Sequence, residues 1–143
     1  MTRGPARIGN RIGVWLYRTS GGRLSAGRSG VHVLLLTTAG RRTGIPRSTC
    51  VRFLTTDDGL IVWGTGSGSA RDPDWFRNLR AAPLADVQLG RERFSVHPKE
   101  LLGPERDTTW TEVVLPQAPE VARYARKAGR TIPVALLRRA DQR

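Results

Sequence analysis

An apolar run that leads directly into an arginine-rich turn is the feature of this sequence that most constrains its fold. The run from Val31 to Thr38 is apolar or β-branched almost throughout, which predicts a central strand of a β-sheet. The turn after it contains glycines, arginines and a proline: Gly40, Arg41, Arg42, Gly44, Pro46 and Arg47. Glycine permits close approach of a ligand to the backbone, and arginine offers a charged, planar fork of donors that suits phosphate or carboxylate. The pattern predicts an anion-binding turn at the edge of a sheet.

The composition is that of a one-domain globular protein. The 143 residues, 38% of them hydrophobic, are enough to build a core without disulfides. Cys50 is the single cysteine, so the sequence has no disulfide framework, and its place in a predicted strand favours a small core side chain. No apolar run reaches the roughly 18–20 residues of a membrane span, and no signal-peptide pattern follows Met1. We therefore expect a cytoplasmic location.

The strong positive charge predicts a polyanionic partner. The formal net charge is +12, and Lys99 and Lys127 are the only lysines, so arginine carries most of it. Nucleic acid, an anionic membrane surface and a multiply charged small molecule would each satisfy this excess. A nucleic-acid module should interleave exposed aromatic side chains with its basic residues, whereas aromatics make up 6% of this chain and occupy core-type positions. We do not expect nucleic acid as the partner.

The first 30 residues are expected to form a segment distinct from the domain at 31–143. Pro5 to Arg18 is predicted to form a basic amphipathic helix, whose apolar side carries Ile8, Ile12, Trp15 and Leu16. Ser20 to Gly30 has the composition of a linker. The helix either covers one end of the domain or lies on a membrane surface, and the pattern leaves both open.

The remaining sequence alternates short strands with a few helices. Strands are predicted at 31–38, 47–56, 60–65, 85–89, 92–98 and 132–137, with hairpin turns at 57–59 and 90–91. Helices are predicted from Asp72, as N-cap, to Ala82, and at 104–115 and 119–129. Many short strands joined by hairpins predict a mainly β, α+β fold, namely a small barrel with helical covers.

The sequence lacks the usual catalytic constellations. His32 and His97 are far apart and have no second ligand at metal-type spacing, so no metal site is predicted. Nucleophile-elbow, Walker and Rossmann motifs are absent from the sequence. If the protein is an enzyme, a cofactor should supply the chemistry while the chain binds and orients it.

Two longer blocks and two short ones resemble the deazaflavin-dependent nitroreductase family. T-T-A-G-R-R-T-G-I-P-R, at 37–47, is similar to the family's T-T-x-G-R-K/R-S/T-G-x-P-R. The segment at 66–83, with P-D-W-F-R-N-L-R-A-A-P, is similar to P-x-W-Y/F-x-N-L-x-A-N-P, and V-Q-L-G at 87–90 to V-x-V-G. R-T-I-P-V, at 130–134, is similar to the closing R-x-I-P-V/I. The blocks keep the family's order and spacing.

The resemblance implies a split β-barrel that binds a deazaflavin, coenzyme F-420, and transfers its hydride to a quinone, an enone or a nitro compound. That coenzyme carries a phosphate and a glutamate tail, which suits an arginine-rich turn. The resemblance implies that the phosphate and nearby linker contact Arg41, Arg42 and Arg47, with Thr43 and Gly44 in the same turn. The loop that contains Gly66, Ser67 and Gly68 either presents backbone N–H groups to an anion or to the ring edge, or is an ordinary connection. The resemblance implies that Trp75, in the helix after this loop, lines the ring pocket; it could also pack in the core.

The chain departs from nitro-activating members of the family in the segment before the last strand. That segment is rich in tyrosine in those members, whereas residues 115–124 here keep one, Tyr124. Tyr124 and Thr65 are the hydroxyl groups that we expect to hydrogen-bond the acceptor, as catalytic residues, although Tyr124 could equally serve only to pack its helix. The departure predicts a more open acceptor pocket, which favours quinones or enones over bulky nitroimidazoles.

Several alternatives stay open at this stage. FMN-binding and haem-binding split barrels share the expected architecture, and a protein that binds the cofactor without turnover would share the motifs. The small-molecule acceptor is not specified, and the protein could be a monomer or a homodimer. The visible absorption spectrum after addition of each cofactor would separate the first group of alternatives.

Overall fold

A computed structural model describes residues 32–140 of the chain. Over this range the chain forms seven strands and three helices. The strands are β1 (Val33–Ala39), β2 (Pro46–Arg52), β3 (Leu54–Thr56), β4 (Gly59–Trp63), β5 (Ala85–Leu89), β6 (Glu92–Leu101) and β7 (Val134–Arg139). The helices are α1 (Asp74–Ala81), α2 (Gly103–Thr109) and α3 (Val121–Ala128). A 3-10 turn (Gly66–Gly68) precedes α1, and a π-helical stretch (Trp110–Val114) with a short turn (Leu115–Gln117) continues α2.

The strands form one antiparallel sheet that curls into a half-barrel. Their order is β2-β1-β5-β6-β7-β4-β3, so β2 and β3 lie at opposite edges. These two strands are nevertheless consecutive in the chain and are separated only by Phe53, which is buried. The sheet must therefore bend until its edges approach each other. The long strand β6 supports this bend, because Val96 and the residues before it pair with β5 while Val96 and those after it pair with β7.

The half-barrel encloses one core and carries a second core on its other side. Strand β4 contributes to both, because alternate side chains of a strand point to opposite faces. Leu60 and Val62 join the main core, where Phe76 and Leu79 of α1 close the barrel. Ile61 and Trp63 join the second core, which the elements after β6 cover. This double burial explains why β4 is continuously apolar.

The α+β split-barrel fold predicted from the sequence is confirmed, and its boundaries differ in informative places. The strand predicted at 47–56 is interrupted at Phe53, where the chain crosses between the sheet edges. The predicted N-cap Asp72 is wrong, since Pro73 occupies that position and Asp72 binds two arginines instead. Strand β6 continues through Pro98 to Leu101, longer than predicted. The helix predicted at 5–18 and the linker at 20–30 lie outside the described residues.

No helix within residues 32–140 has the length and apolar character needed to cross a bilayer.

Candidate functional site

The arginine-rich turn joins β1 to β2 and is held by its own backbone. The Gly40 N–H donates to the Ile45 carbonyl at 2.8 Å, and the Gly44 N–H donates to the Gly40 carbonyl at 2.8 Å. Gly44 has φ of +74°, a left-handed conformation that glycine adopts without strain. The Thr43 hydroxyl accepts the Ile45 N–H at 3.2 Å. The turn is therefore a defined loop at the end of a central strand, as the sequence predicts.

The three arginines of this turn have different surroundings. Arg41 is held by α1: its guanidinium donates to Asn78 Oδ1 at 2.7 Å and lies 3.5 Å from Asp74 Oδ1. Arg42 and Arg47 are exposed, and neither forms an ion pair or a side-chain hydrogen bond with any residue from 32 to 140. The turn thus combines one anchored cation with two that are available to a ligand.

Trp75 lies in the first turn of α1, next to the Asp74 that approaches Arg41. Its ring is partly buried against the main core and meets the Phe76 ring edge-on at a centroid distance of 5.4 Å. Trp75 therefore follows directly after a residue that contacts the arginine-rich turn, and packing against the core holds its indole in place.

The Gly66–Gly68 turn presents unpaired backbone donors. Thr65 is right-handed (φ −72°), and Gly66, Ser67 and Gly68 follow with φ of +54°, +55° and +86°. The N–H groups of Gly68 and Ser69 bind the carbonyls of Thr65 and Gly66 at 3.0 and 3.1 Å. The N–H groups of Gly66 and Ser67 donate to no backbone carbonyl in the part of the chain that the structure describes. Successive free N–H groups in such a turn form a concave site for an anion or a carbonyl oxygen.

Helix α1 connects the two loops. Asp74 and Asn78 contact Arg41 of the first loop, and Pro73 at the helix start lies against the residue that opens the second loop. A Cβ placed on Gly64 would lie 3.2 Å from both Pro73 and Phe76, so this glycine permits the close approach. The structure therefore brings the arginine-rich turn and the 3-10 turn to the same helix.

The two proposed hydroxyl donors lie on elements that contact each other. The Thr65 hydroxyl caps no helix N–H, and Tyr124, on α3, is 39% exposed. One helical turn after Tyr124, the stem of Lys127 covers Gly68, so a Cβ at that glycine would lie 2.7 Å from Lys127 Cδ. Residues three apart on a helix lie on the same side, so Tyr124 shares a flank of α3 with Lys127. No hydrogen bond links it to Thr65 within residues 32–140.

Sequence reasoning gave no part in the site to three polar residues that organise this region, and it predicted one of them, Asp72, only as a helix N-cap. Asn78 is buried and anchors Arg41. Asp72 binds Arg130 and Arg80 at 2.7 and 2.9 Å, while a hydrogen bond from Arg80 to Glu100 raises the pKa of the Arg80 guanidinium. Arg130 donates to four backbone carbonyls around the 3-10 turn. Each lies within a motif block, so the motifs were the available signal.

Two clefts lie near these elements. A small one of about 350 Å³ lies beside the loop after the 3-10 turn, and its lining includes Arg71, Arg77 and Arg130. A larger open groove of about 580 Å³ lies on the outer face of β1, β5 and β6, and none of the predicted site residues lines it. The larger groove has one arginine in its lining, Arg93, whereas three arginines line the smaller cleft.

Comparison with known proteins agrees with this architecture. The model of the family described as F420H(2)-dependent quinone reductase matches residues 9–139. The chain is 31% identical over 127 residues to the F420H(2)-dependent quinone reductase Rv1261c of Mycobacterium tuberculosis (strain H37Rv). The aligned residues make up 87% of this chain and 85% of that protein.

Solved structures show the same fold. The F420-H2 dependent reductase FDR-A superposes with a TM-score of 0.64 at 27% identity, over 73% of this chain and 92% of its own. A domain-swapped dimer superposes with a TM-score of 0.67 at 25% identity, over 93% and 92% of the two chains. HutZ, a haem storage protein from Vibrio cholerae, has a TM-score of 0.58 at 13% identity, over 78% of this chain and 83% of its own, which is a likeness of fold alone.

The fold and these matches define a split-barrel oxidoreductase of the flavin-reductase-like class. Within that class, the chain belongs to the F420H(2)-dependent quinone reductase family, whose cofactor is coenzyme F-420. The predicted family resemblance, enzyme class and cofactor are confirmed. The assignment of individual residues to the cofactor and the acceptor stays a prediction.

Proposed function

We propose that this chain reduces quinones with hydride from reduced coenzyme F-420, at a site formed by the arginine-rich turn, α1 and the 3-10 turn. In this proposal Arg42 and Arg47 bind the phosphate. Thr43 and Gly44 shape the turn around the phosphate, and Arg41 contributes the guanidinium N–H groups that Asn78 and Asp74 do not use.

The residues present fit this cofactor. Two exposed arginines without partners among residues 32–140 suit a phosphate, because charge-assisted hydrogen bonds are the strong ones. The free N–H groups of Gly66 and Ser67 suit a ring carbonyl. Trp75 offers an aromatic surface at the helix between the two loops.

The reduced deazaflavin, when bound, supplies the hydride that the acceptor takes up. The chain's own task is then to hold the acceptor over the ring and to stabilise negative charge at its oxygen. Thr65 and Tyr124 are the proposed hydroxyl donors for that oxygen. The exposure of Tyr124 fits a wide pocket, which favours quinones and conjugated enones over bulky nitroimidazoles.

The observation that carries the cofactor site is the contrast among the arginines of one turn, with Arg41 anchored while Arg42 and Arg47 remain available. Arginines that served only to stabilise the hairpin would be expected to bind neighbouring carboxylates. Fluorescence titration of the purified protein with coenzyme F-420 and with FMN tests the proposal. We expect micromolar or tighter binding of coenzyme F-420 and weaker binding of FMN. Tighter binding of FMN would overturn it.

Quaternary state and location belong to the same proposal. A homodimer is supported by the dimeric state of one solved structure at 25% identity. Three further points remain predictions. They are a cytoplasmic location, a peripheral membrane contact through residues 5–18, and the division of the chain into a segment at 1–30 and a domain at 31–143. Binding of the coenzyme without turnover of any acceptor would favour a sequestering role instead.

A further inference from the structure

Arg130 is the most extensively hydrogen-bonded side chain of the region around α1. Its side chain is 15% exposed and donates from all three guanidinium nitrogens. Nε binds the Ser69 carbonyl at 3.0 Å, and Nη1 binds Asp72 Oδ1 at 2.7 Å. Nη2 lies 3.1, 3.2 and 2.9 Å from the carbonyls of Gly64, Thr65 and Arg71. One guanidinium thus contacts both ends of the loop that contains the 3-10 turn.

These contacts determine which backbone groups the loop presents. Four carbonyls, two before and two after the Gly66–Ser67 peptide, converge on the cation. The N–H groups of Gly66 and Ser67, between them, have no backbone acceptor within residues 32–140. Without the cation, converging carbonyl oxygens would repel one another and the loop would be free to turn its peptides.

We propose that Arg130 is a positioning residue: it fixes the carbonyls of residues 64–71 so that the N–H groups of Gly66 and Ser67 stay directed at the cofactor. The inference rests on the proposed function, since it assigns those N–H groups to the coenzyme. Arg130 itself acts through the loop and touches no ligand.

Asp72 links this contact to the rest of the barrel. Its Oδ1 accepts from Arg130, and its Oδ2 accepts from Arg80 at 2.9 Å. Arg80 in turn makes a two-pronged contact with Glu100 of β6, at 2.7 and 3.0 Å. The loop is therefore fixed to α1 and to the central strand, and its orientation relative to the arginine-rich turn is fixed with it.

Lysine cannot replace arginine in this role. Its donors radiate from a single nitrogen, whereas the carbonyls here lie around an extended planar fork. Arg130→Lys keeps the positive charge but loses the planar arrangement of donors, so it is the informative substitution.

Arg106 provides a matched control. Its side chain is 13% exposed, donates to the Ile132 carbonyl from Nε and Nη2 at 3.0 and 2.7 Å, and lies over the Trp110 ring. It is therefore an equally buried carbonyl-binding arginine, but it contacts none of residues 64–72. Arg106→Lys should cost stability without changing the loop.

The experiment measures hydrogen exchange of residues 64–72 in the cofactor-free protein and the Kd for coenzyme F-420 in wild type and variants. We expect Arg130→Lys to speed exchange of the Gly68 and Ser69 amides and to raise the Kd by ~10- to 100-fold. Arg106→Lys should leave both unchanged. If Arg130→Lys does not fold, Asp72→Asn should show the same two changes to a smaller degree.

Equal behaviour of the two arginine variants in both measurements would overturn the inference. Failure of the wild type to bind the coenzyme would instead overturn the proposed function. If the wild type does not bind the coenzyme, but Arg130→Lys exchanges faster at residues 64–72 and Arg106→Lys does not, Arg130 still fixes the loop and only the cofactor assignment falls.

Discussion

Arg41 and Asn78 are 37 residues apart, and both the backbone N–H and the guanidinium of Arg41 donate to the same amide oxygen of Asn78, at 3.1 and 2.7 Å. Asn78 is buried in α1, beside two core residues, Phe76 and Leu79. A helix that closes the barrel therefore also fixes the first arginine of the hairpin turn. This contact turns a chain segment rich in glycine into a site with a defined geometry.

Removing this anchor should affect both stability and binding. Asn78→Ala leaves the Arg41 N–H without its acceptor, so we expect the free energy of unfolding to fall by about 1–3 kcal/mol. Coenzyme F-420 should bind several-fold more weakly, because the turn loses its attachment to α1. Urea denaturation and fluorescence titration measure the two effects. The exposed amide variant Gln117→Ala serves as control, and equal results for the two variants would refute the anchoring role.

The two free arginines should matter for binding and not for stability. Arg42→Ala and Arg47→Ala should each weaken the binding of coenzyme F-420 by about 1–3 kcal/mol, the loss expected for a charge-assisted contact. Thermal unfolding should change little, since both side chains are exposed. Arg91→Ala is the matched control, because Arg91 is an exposed arginine on the hairpin turn at the opposite end of the sheet. An unchanged Kd for both turn variants would show that the turn is merely solvated.

The backbone of the 3-10 turn predicts that two substitutions have opposite effects on the stability of the protein. Ser67 is a non-glycine residue with φ of +55° and ψ of +32°, so Ser67→Gly should relieve strain and stabilise the protein by about 0.5–1 kcal/mol. Gly68→Ala should destabilise it, because its φ is +86° and the new Cβ would displace the Lys127 stem. Thermal unfolding compares the two. Destabilisation by Ser67→Gly would contradict the described turn.

The contact of Glu120 with Arg52 predicts a small dependence of stability on pH. Hydrogen bonds from its own backbone N–H and from Arg52, the latter at 2.7 Å, lower the pKa of Glu120 below its ordinary value of 4.5. Because this pKa is lowered, the contribution of Glu120 to stability is present above pH 4.5 and is lost as the pH falls through the pKa of Glu120 in the folded protein. Glu120→Gln should therefore be less stable than wild type at neutral pH and equal to it in strong acid. The difference should be below ~1 kcal/mol, because solvent screens this half-exposed pair; a difference that grows in acid would contradict the assignment.

Local features of the sequence were sufficient for most of the fold. The apolar run of β1, the turn residues Asp57 to Gly59 and the hairpin at Gly90 each act over a few residues, and the structure has them as predicted. The interruption at Phe53 was not predictable, because it depends on the closure of the whole sheet.

In the candidate site, too, local features could be predicted from the sequence, whereas contacts between distant residues could not. The charge and glycine pattern of the arginine-rich turn could be read directly, as could the glycines of the 3-10 turn. The distinction between Arg41 and its two neighbours could not, since it depends on Asn78 in a helix far along the chain. Asp72 resembles a helix cap locally, yet its partners Arg130 and Arg80 are 58 and 8 residues away. Long-range ion pairs outweighed the local cap.

The measurement that tests the account most directly is oxidation of reduced coenzyme F-420 by a quinone under anaerobic conditions. The returning visible absorption of the oxidised coenzyme reports turnover. We predict quinone-dependent oxidation by the wild type, unchanged rates for Arg91→Ala, and a strong loss when Arg42→Ala and Arg47→Ala are combined. The absence of enzyme-dependent oxidation with quinones would contradict the proposed function, and equal rates for the three proteins would contradict the proposed site.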